Sequence, residues 1–175
     1  SIRGEQHGRL AQTRYEAVLR EAEEEARGRR FARAVEILEA ARQVDPENPE
    51  LKQRLDDMCA RLERSQNAAQ LAADARRLLV EQDLLQAQAK ATEAQRQDPD
   101  LPESAELLHA IAEAIRASEG QGRLERQLAE ANALLSKESF DAAIAMVRGL
   151  RAQSHEPAFD AWLERAQAKK TEAER

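Results

Sequence analysis

Two proline-bracketed motifs, Asp45-Pro46-Glu47-Asn48-Pro49 and Asp98-Pro99-Asp100-Leu101-Pro102, share one internal spacing and lie 53 positions apart. A looser third copy, Ser154-His155-Glu156-Pro157, keeps only the second proline, and the three together use all five prolines of the chain. Proline breaks a helix interior but fits the first helical turn, where its missing N–H has no partner to lose. The prolines therefore mark where segments end and begin, and a regular interval between them predicts a repeated unit rather than one irregular core.

Upstream of each motif lies a segment entered through a bulky residue: Phe31 to Leu38, Leu84 to Ala91, and Phe140 to Val147. In each, alanine follows three positions later (Ala34, Ala87, Ala143) and an apolar residue four after that (Leu38, Ala91, Val147). This spacing makes one stripe of a helix, with the small residue where two helices approach closely. Composition agrees. The 42% of hydrophobic residues are mostly Ala and Leu, and aromatics reach only 3%, so strand formers are scarce and helix formers abundant. Sandwiches, barrels and parallel-sheet enzymes are thereby disfavoured, and thin helical layers are expected.

The series Phe31, Ala34, Leu38, Ala41, Val44, Asp45 and Pro46 resembles the second helix of the tetratricopeptide repeat, as do Leu84, Ala87, Ala91, Ala94, Asp98 and Pro99. Phe140, Ala143, Val147 and Leu150 follow the same pattern before Ser154 and His155 replace Asp-Pro. Leu19, Ala22 and Ala26, then Leu71, Ala75, Leu78 and Leu79, then Leu128, Ala131, Leu134 and Leu135 supply the small and apolar positions of the first helices, without the family's Trp-Leu-Gly signature. The resemblance implies stacked helical hairpins whose first helices line a surface that holds a peptide. Carried onto this chain, that surface would consist of Leu19, Glu23, Ala72, Arg76, Leu128 and Asn132.

A tetratricopeptide unit has roughly 34 residues, whereas the interval here is 53 and then 56 between Phe31, Leu84 and Phe140. The surplus predicts an extra helix per unit, opening at Pro49, Pro102 and Pro157. Neither Gly nor Pro occurs between Pro49 and Asp83, so one long helix should close the first unit and open the second, its apolar stripe shifting from 51/55/58/62 to 71/75/78. Gly120 and Gly122 interrupt the equivalent second junction, where a kink or break is expected. The expected fold is an all-α helical repeat array of three A-B-C units, with tetratricopeptide-like hairpins joined by long shared helices. Such a connection resembles that of spectrin-like arrays. Its boundaries are 1–9 tail, 10–66 unit one, 67–119 unit two and 120–175 unit three.

The net charge is −6, and its 27 basic and 33 acidic residues are interspersed, so no basic field for nucleic acid is expected. The densest basic stretch, Arg27 to Arg33, reads as a solvated corner. Cys59 is the one cysteine, which excludes an internal disulfide and reads as a helix-packing residue. No apolar run nears the roughly 20 residues of a membrane span, and no signal peptide is visible, so membrane insertion by this segment is not expected. The start at Ser1 and the charged helical end, Lys169 to Arg175, suggest a segment of a longer protein, and the compartment is left open with the cytoplasm favoured.

Residues able to carry chemistry are dispersed. His7, His109 and His155 fall at a tail, on a helix and in a turn. Glu23, Glu24 and Glu25 are consecutive, so on a helix they point apart and share no site. Asp56-Asp57 reads the same way, and the oxygen-rich stretch Asp45 to Glu50 lacks calcium-loop spacing. Trp162, three residues after Phe159, reads as part of the last unit's core. No enzyme, cofactor or metal role is expected. The composition is similar to helical segments of bacterial signalling and envelope proteins, including receptor-like Ser/Thr kinases. The expected function is a protein- or peptide-binding scaffold acting as a regulatory segment. The alternative is a helical spacer forming a homodimer, with no peptide groove.

Overall fold

The computed structural model describes the backbone from residue 2 to 175 and the side chains from residue 12 to 175. His7 lies outside the described side chains. The fold is all-α, and the described residues contain no strand. Among the described residues seven helices follow in order: α1 (Ile2–Arg27), α2 (Phe31–Val44), α3 (Pro49–Val80), α4 (Leu84–Gln97), α5 (Ser104–Ser136), α6 (Phe140–Gln153) and α7 (Pro157–Ala173). Helix α1 thus begins within the stretch expected to be a tail.

One turn recurs three times. After α1, the Arg30 N–H donates to the Glu25 carbonyl at 2.8 Å and the Arg29 N–H to the Ala26 carbonyl at 3.0 Å. After α3, Asp83 reaches Leu78 at 3.0 Å and Gln82 reaches Leu79 at 3.2 Å. After α5, Ser139 reaches Leu134 and Glu138 reaches Leu135, both at 3.0 Å. This pair of bonds is the Schellman closure of a helix, and it needs a left-handed residue just past the helix end. Arg29, Gln82 and Glu138 occupy that position with φ of 59°, 63° and 57°. Each turn then feeds a helix of 14 residues, α2, α4 or α6. In these helices Ala34, Ala87 and Ala143 are wholly buried, so the short side chain sits where helices meet closely.

Prolines set the starts of α3 and α7, whereas α5 begins at Ser104, two residues beyond the Pro102 expected to open it. Pro49 opens α3 in its first turn, and the Asn48 side chain accepts hydrogen bonds from the Glu50 and Leu51 N–H groups at 3.1 and 3.2 Å. Pro157 likewise stands in the first turn of α7, where no side chain caps the helix. Helix α3 runs unbroken as expected, but its two halves bury different faces. Leu51, Leu55 and Met58 join Ala22, Ala26, Phe31, Ala34 and Leu38 in one apolar cluster. Further along, Ala68, Ala72, Ala75 and Leu78 are buried while α3 packs on α4. At 100° per residue Leu51 and Leu78 point about half a turn apart, which lets one helix serve two neighbours.

At the second junction the expected break does not occur. Helix α5 is continuous from Ser104 to Ser136 through Gly120 and Gly122. A glycine costs a helix about 1 kcal/mol, and a helix this long absorbs that cost because no competing cap or proline terminates it. A Cβ at either position would meet nothing within 4 Å.

By contacts the chain divides into two compact units, Ser1–Ile111 and Ala112–Arg175. The boundary expected between residues 66 and 67 lies inside α3. In the first unit, α1 and α3 both pack on α2, and α3 packs on α4. In the second unit, Ala131, Ala143, Ile144, Val147, Phe159, Trp162 and Ala166 form the core, with α6 against α7.

Candidate functional site

The six residues expected to face a partner are divided between the two units and differ in exposure. Leu19, Glu23, Ala72 and Arg76 belong to the first unit, Leu128 and Asn132 to the second. Ala72 is wholly buried in the packing of α3 and presents no surface, because its equivalent place on the stripe faces another helix rather than solvent. Leu19 and Leu128 are half-buried, each packed on its own unit's core. Glu23 holds Arg54 of α3 at 2.9 Å, and Arg54 also approaches Glu50 at 3.4 Å. Arg76 approaches Glu103 at 3.6 Å. Asn132 is exposed, but its Oδ1 accepts the indole N–H of Trp162 at 2.8 Å. The expected inward positions are thus engaged largely within the chain itself.

What the first unit does offer is a cleft of about 520 Å³ between α1 and α3, floored by Leu38 of α2. Leu19, Ala22 and Glu23 form one wall. Arg54, Asp57, Met58, Arg61 and Arg64 belong to the other. The cleft exists because α1 and α3 rest side by side on the shorter α2. Beside it Phe31 is buried under two guanidinium groups, Arg61 at 5.1 Å and Arg29 at 5.6 Å from the ring centre, where the negative ring face attracts cations.

Of the α3 arginines, sequence reasoning placed only Arg76 on a candidate surface and none of those that line the cleft. The signal was present: positions 54, 57, 58, 61 and 64 recur at three- and four-residue steps and mark one helical face. The expected solvated corner, Arg27 to Arg33, is only partly solvated. Its Arg29 donates through Nη1 to Asp98 at 3.2 Å and through Nη2 to Ser65 at 3.3 Å, and a second Nη2 contact ties it to the other Asp98 oxygen. This guanidinium holds the Asp98 carboxyl below its ordinary 3.8, against the opposing effect of burial.

The remaining chemical candidates stay apart. Glu23 pairs with Arg54 while Glu25 pairs with Arg30, as consecutive helical positions require. His109 and His155 are exposed. Cys59 is exposed as well, so it does not pack between helices; the neighbouring Met58 takes that role. Among the described residues no three His, Cys, Asp or Glu side chains gather as a metal site, and no helix is long and apolar enough to cross a membrane. Trp162 lies in the second unit's core as expected.

Comparison with protein-family models, curated proteins and solved structures finds no match.

Proposed function

We propose that this chain is a non-enzymatic protein-interaction module, built as an array of three tetratricopeptide-like units that each carry an extra helix, and that it serves as a regulatory or scaffolding segment. The observation that carries the functional reading is the cleft between α1 and α3, a helix-lined groove of the kind that receives a partner's segment. The repeat reading is supported by the turn shared by Arg29, Gln82 and Glu138 and by the buried alanine three positions into each following helix. This cleft keeps Leu19 and Glu23 of the expected first-helix face and adds residues of α3 to them, while Arg76 meets Glu103 elsewhere in the chain.

Affinity capture with the whole chain, followed by identification of what it retains, tests the proposal. A defined partner whose retention falls when Leu19 is replaced by Lys is the expected result. Turnover of a substrate without any retained partner would defeat it.

A dimerising spacer is the second reading. Val80 and Leu85, 82% and 79% exposed on either side of one turn, are its support. Sedimentation over a concentration series separates the two, since a chain that stays monomeric at tens of micromolar has no spacer-dimer role.

A further inference from the structure

Resting on the interaction function proposed above, we infer that the cleft between α1 and α3 takes an acidic amphipathic helix from a partner protein. Its carboxylates meet Arg61 and Arg64, and an apolar side chain lies over the half-buried Leu19.

The argument starts from which charges in the lining are already used. Arg54 is held by Glu23 at 2.9 Å and by Glu50 at 3.4 Å, so these groups largely neutralise one another. Arg61 and Arg64 make no ion pair and no hydrogen bond among the described contacts, and both are exposed. Arg61 is nevertheless placed, because its guanidinium rests on the Phe31 ring at 5.1 Å. The neighbouring Arg29 shares that ring but is committed to Asp98, so it adds positive surroundings without competing for a new anion. A preplaced guanidinium loses little freedom on meeting a carboxylate, and its fork matches one geometrically. The opposing group is Asp57, the remaining acid of the lining without an ion pair.

The shape selects a helix. Arg54 to Arg64 spans ten residues, about 15 Å along α3 or three helical turns. Two helices laid on a third leave a trough that a fourth helix fills at ordinary interhelical distances. Nucleic acid fits less well. Glu23 and Asp57 interrupt any track for a phosphate backbone, and the chain as a whole carries −6. Local rather than global positive charge favours a partner whose carboxylates are few and spaced.

Fluorescence anisotropy tests this with the whole chain and a labelled helical peptide of about 15 residues, with Leu at i, i+3, i+4 and i+7 and Glu elsewhere. A twin peptide with Lys in place of every Glu serves as the comparison. The acidic peptide should bind and the basic twin should not, with affinity falling as salt rises. Arg64→Glu, whose side chain supports nothing else in the fold, should weaken binding about tenfold. Asp57→Lys should tighten it severalfold, a gain that misfolding cannot produce. Equal binding of the two peptides, or unchanged affinity in both variants, overturns the inference. So does displacement of the peptide by an equimolar single-stranded oligonucleotide, or self-association of the chain that Arg64→Glu abolishes. A natural partner retained equally by wild type, Arg64→Glu and Asp57→Lys would remove this groove while leaving the interaction function in place.

Discussion

Arg29 and Asp98 stand 69 residues apart in the chain and are joined by two guanidinium–carboxylate hydrogen bonds, with Ser65 of α3 bound to the same guanidinium. Three segments meet there: the turn after α1, the middle of α3 and the end of α4. Arg29 is the left-handed residue of its turn. Its side chain is 26% exposed and that of Asp98 12%, which places the pair at the edge of the core rather than in open solvent.

A double-mutant cycle on this pair should therefore report coupling. Arg29→Ala and Asp98→Ala are each expected to lower the stability of the first unit by about 1–3 kcal/mol, with an interaction energy of about 1–2 kcal/mol. Urea denaturation of the two single variants and the double variant measures it. Strict additivity would reduce the contact to a surface pair.

Acid should dissolve the same contact. The carboxyl of Asp98 is lowered in the folded chain relative to its ordinary 3.8, chiefly by the Arg29 hydrogen bond. Its contribution is full above the unfolded value and fades as pH falls through the lower folded value. Stability of the wild type should thus drop below about pH 4, and Asp98→Asn should flatten part of that drop. Glu93, half-buried and drawn down to about 2 by Arg96 and Gln97, behaves differently, since its partner Arg96 is exposed and about 1 M salt, which screens surface pairs, should remove its share first.

Ser104 is 3% exposed and its Oγ has no hydrogen-bond partner. A buried hydroxyl left unpaired loses its water bonds without replacement. Replacing it by Ala should stabilise the first unit by about 1 kcal/mol, read as a higher denaturation midpoint with an unchanged slope. A loss of stability would mean that the hydroxyl is satisfied after all.

Much of this was readable in the residues, and the exceptions have physical reasons. Asp45-Pro46, Asp98-Pro99 and Pro157 located the ends of α2 and α4 and the start of α7, because proline acts on the backbone locally. The left-handed turns were hidden, since Arg29, Gln82 and Glu138 stand where glycine is the usual signal. Ala72 was misplaced because alanine suits an exposed helix face and a tight crossing equally well, and only the neighbouring helix decides. The α3 arginines of the cleft were overlooked for a similar reason, as a charged helical face reads as solvated until another helix stands opposite.

Gly120 and Gly122 bear on a different part of the chain. Each lies inside continuous α5 with open space where a Cβ would go. Alanine restricts the unfolded chain and suits the helix, so Gly120→Ala and Gly122→Ala should each add up to about 1 kcal/mol. Thermal denaturation followed by helical circular dichroism measures the gain. Destabilisation by either would show that the glycines permit a bend that alanine resists.

The Asn132 and Trp162 contact gives the second unit its own probe. The indole N–H donates to Asn132 Oδ1 at 2.8 Å, and Trp162 is 4% exposed and the chain's only tryptophan. Asn132→Ala leaves that N–H to find water at the edge of the core, which should cost about 1 kcal/mol and shift the emission maximum. Asn132→Asp keeps an acceptor oxygen in place, so its emission should stay near wild type while the spectrum of Asn132→Ala moves. If both variants keep the wild-type spectrum, the indole does not depend on this bond. If both move alike, the amide matters through its shape rather than through its oxygen.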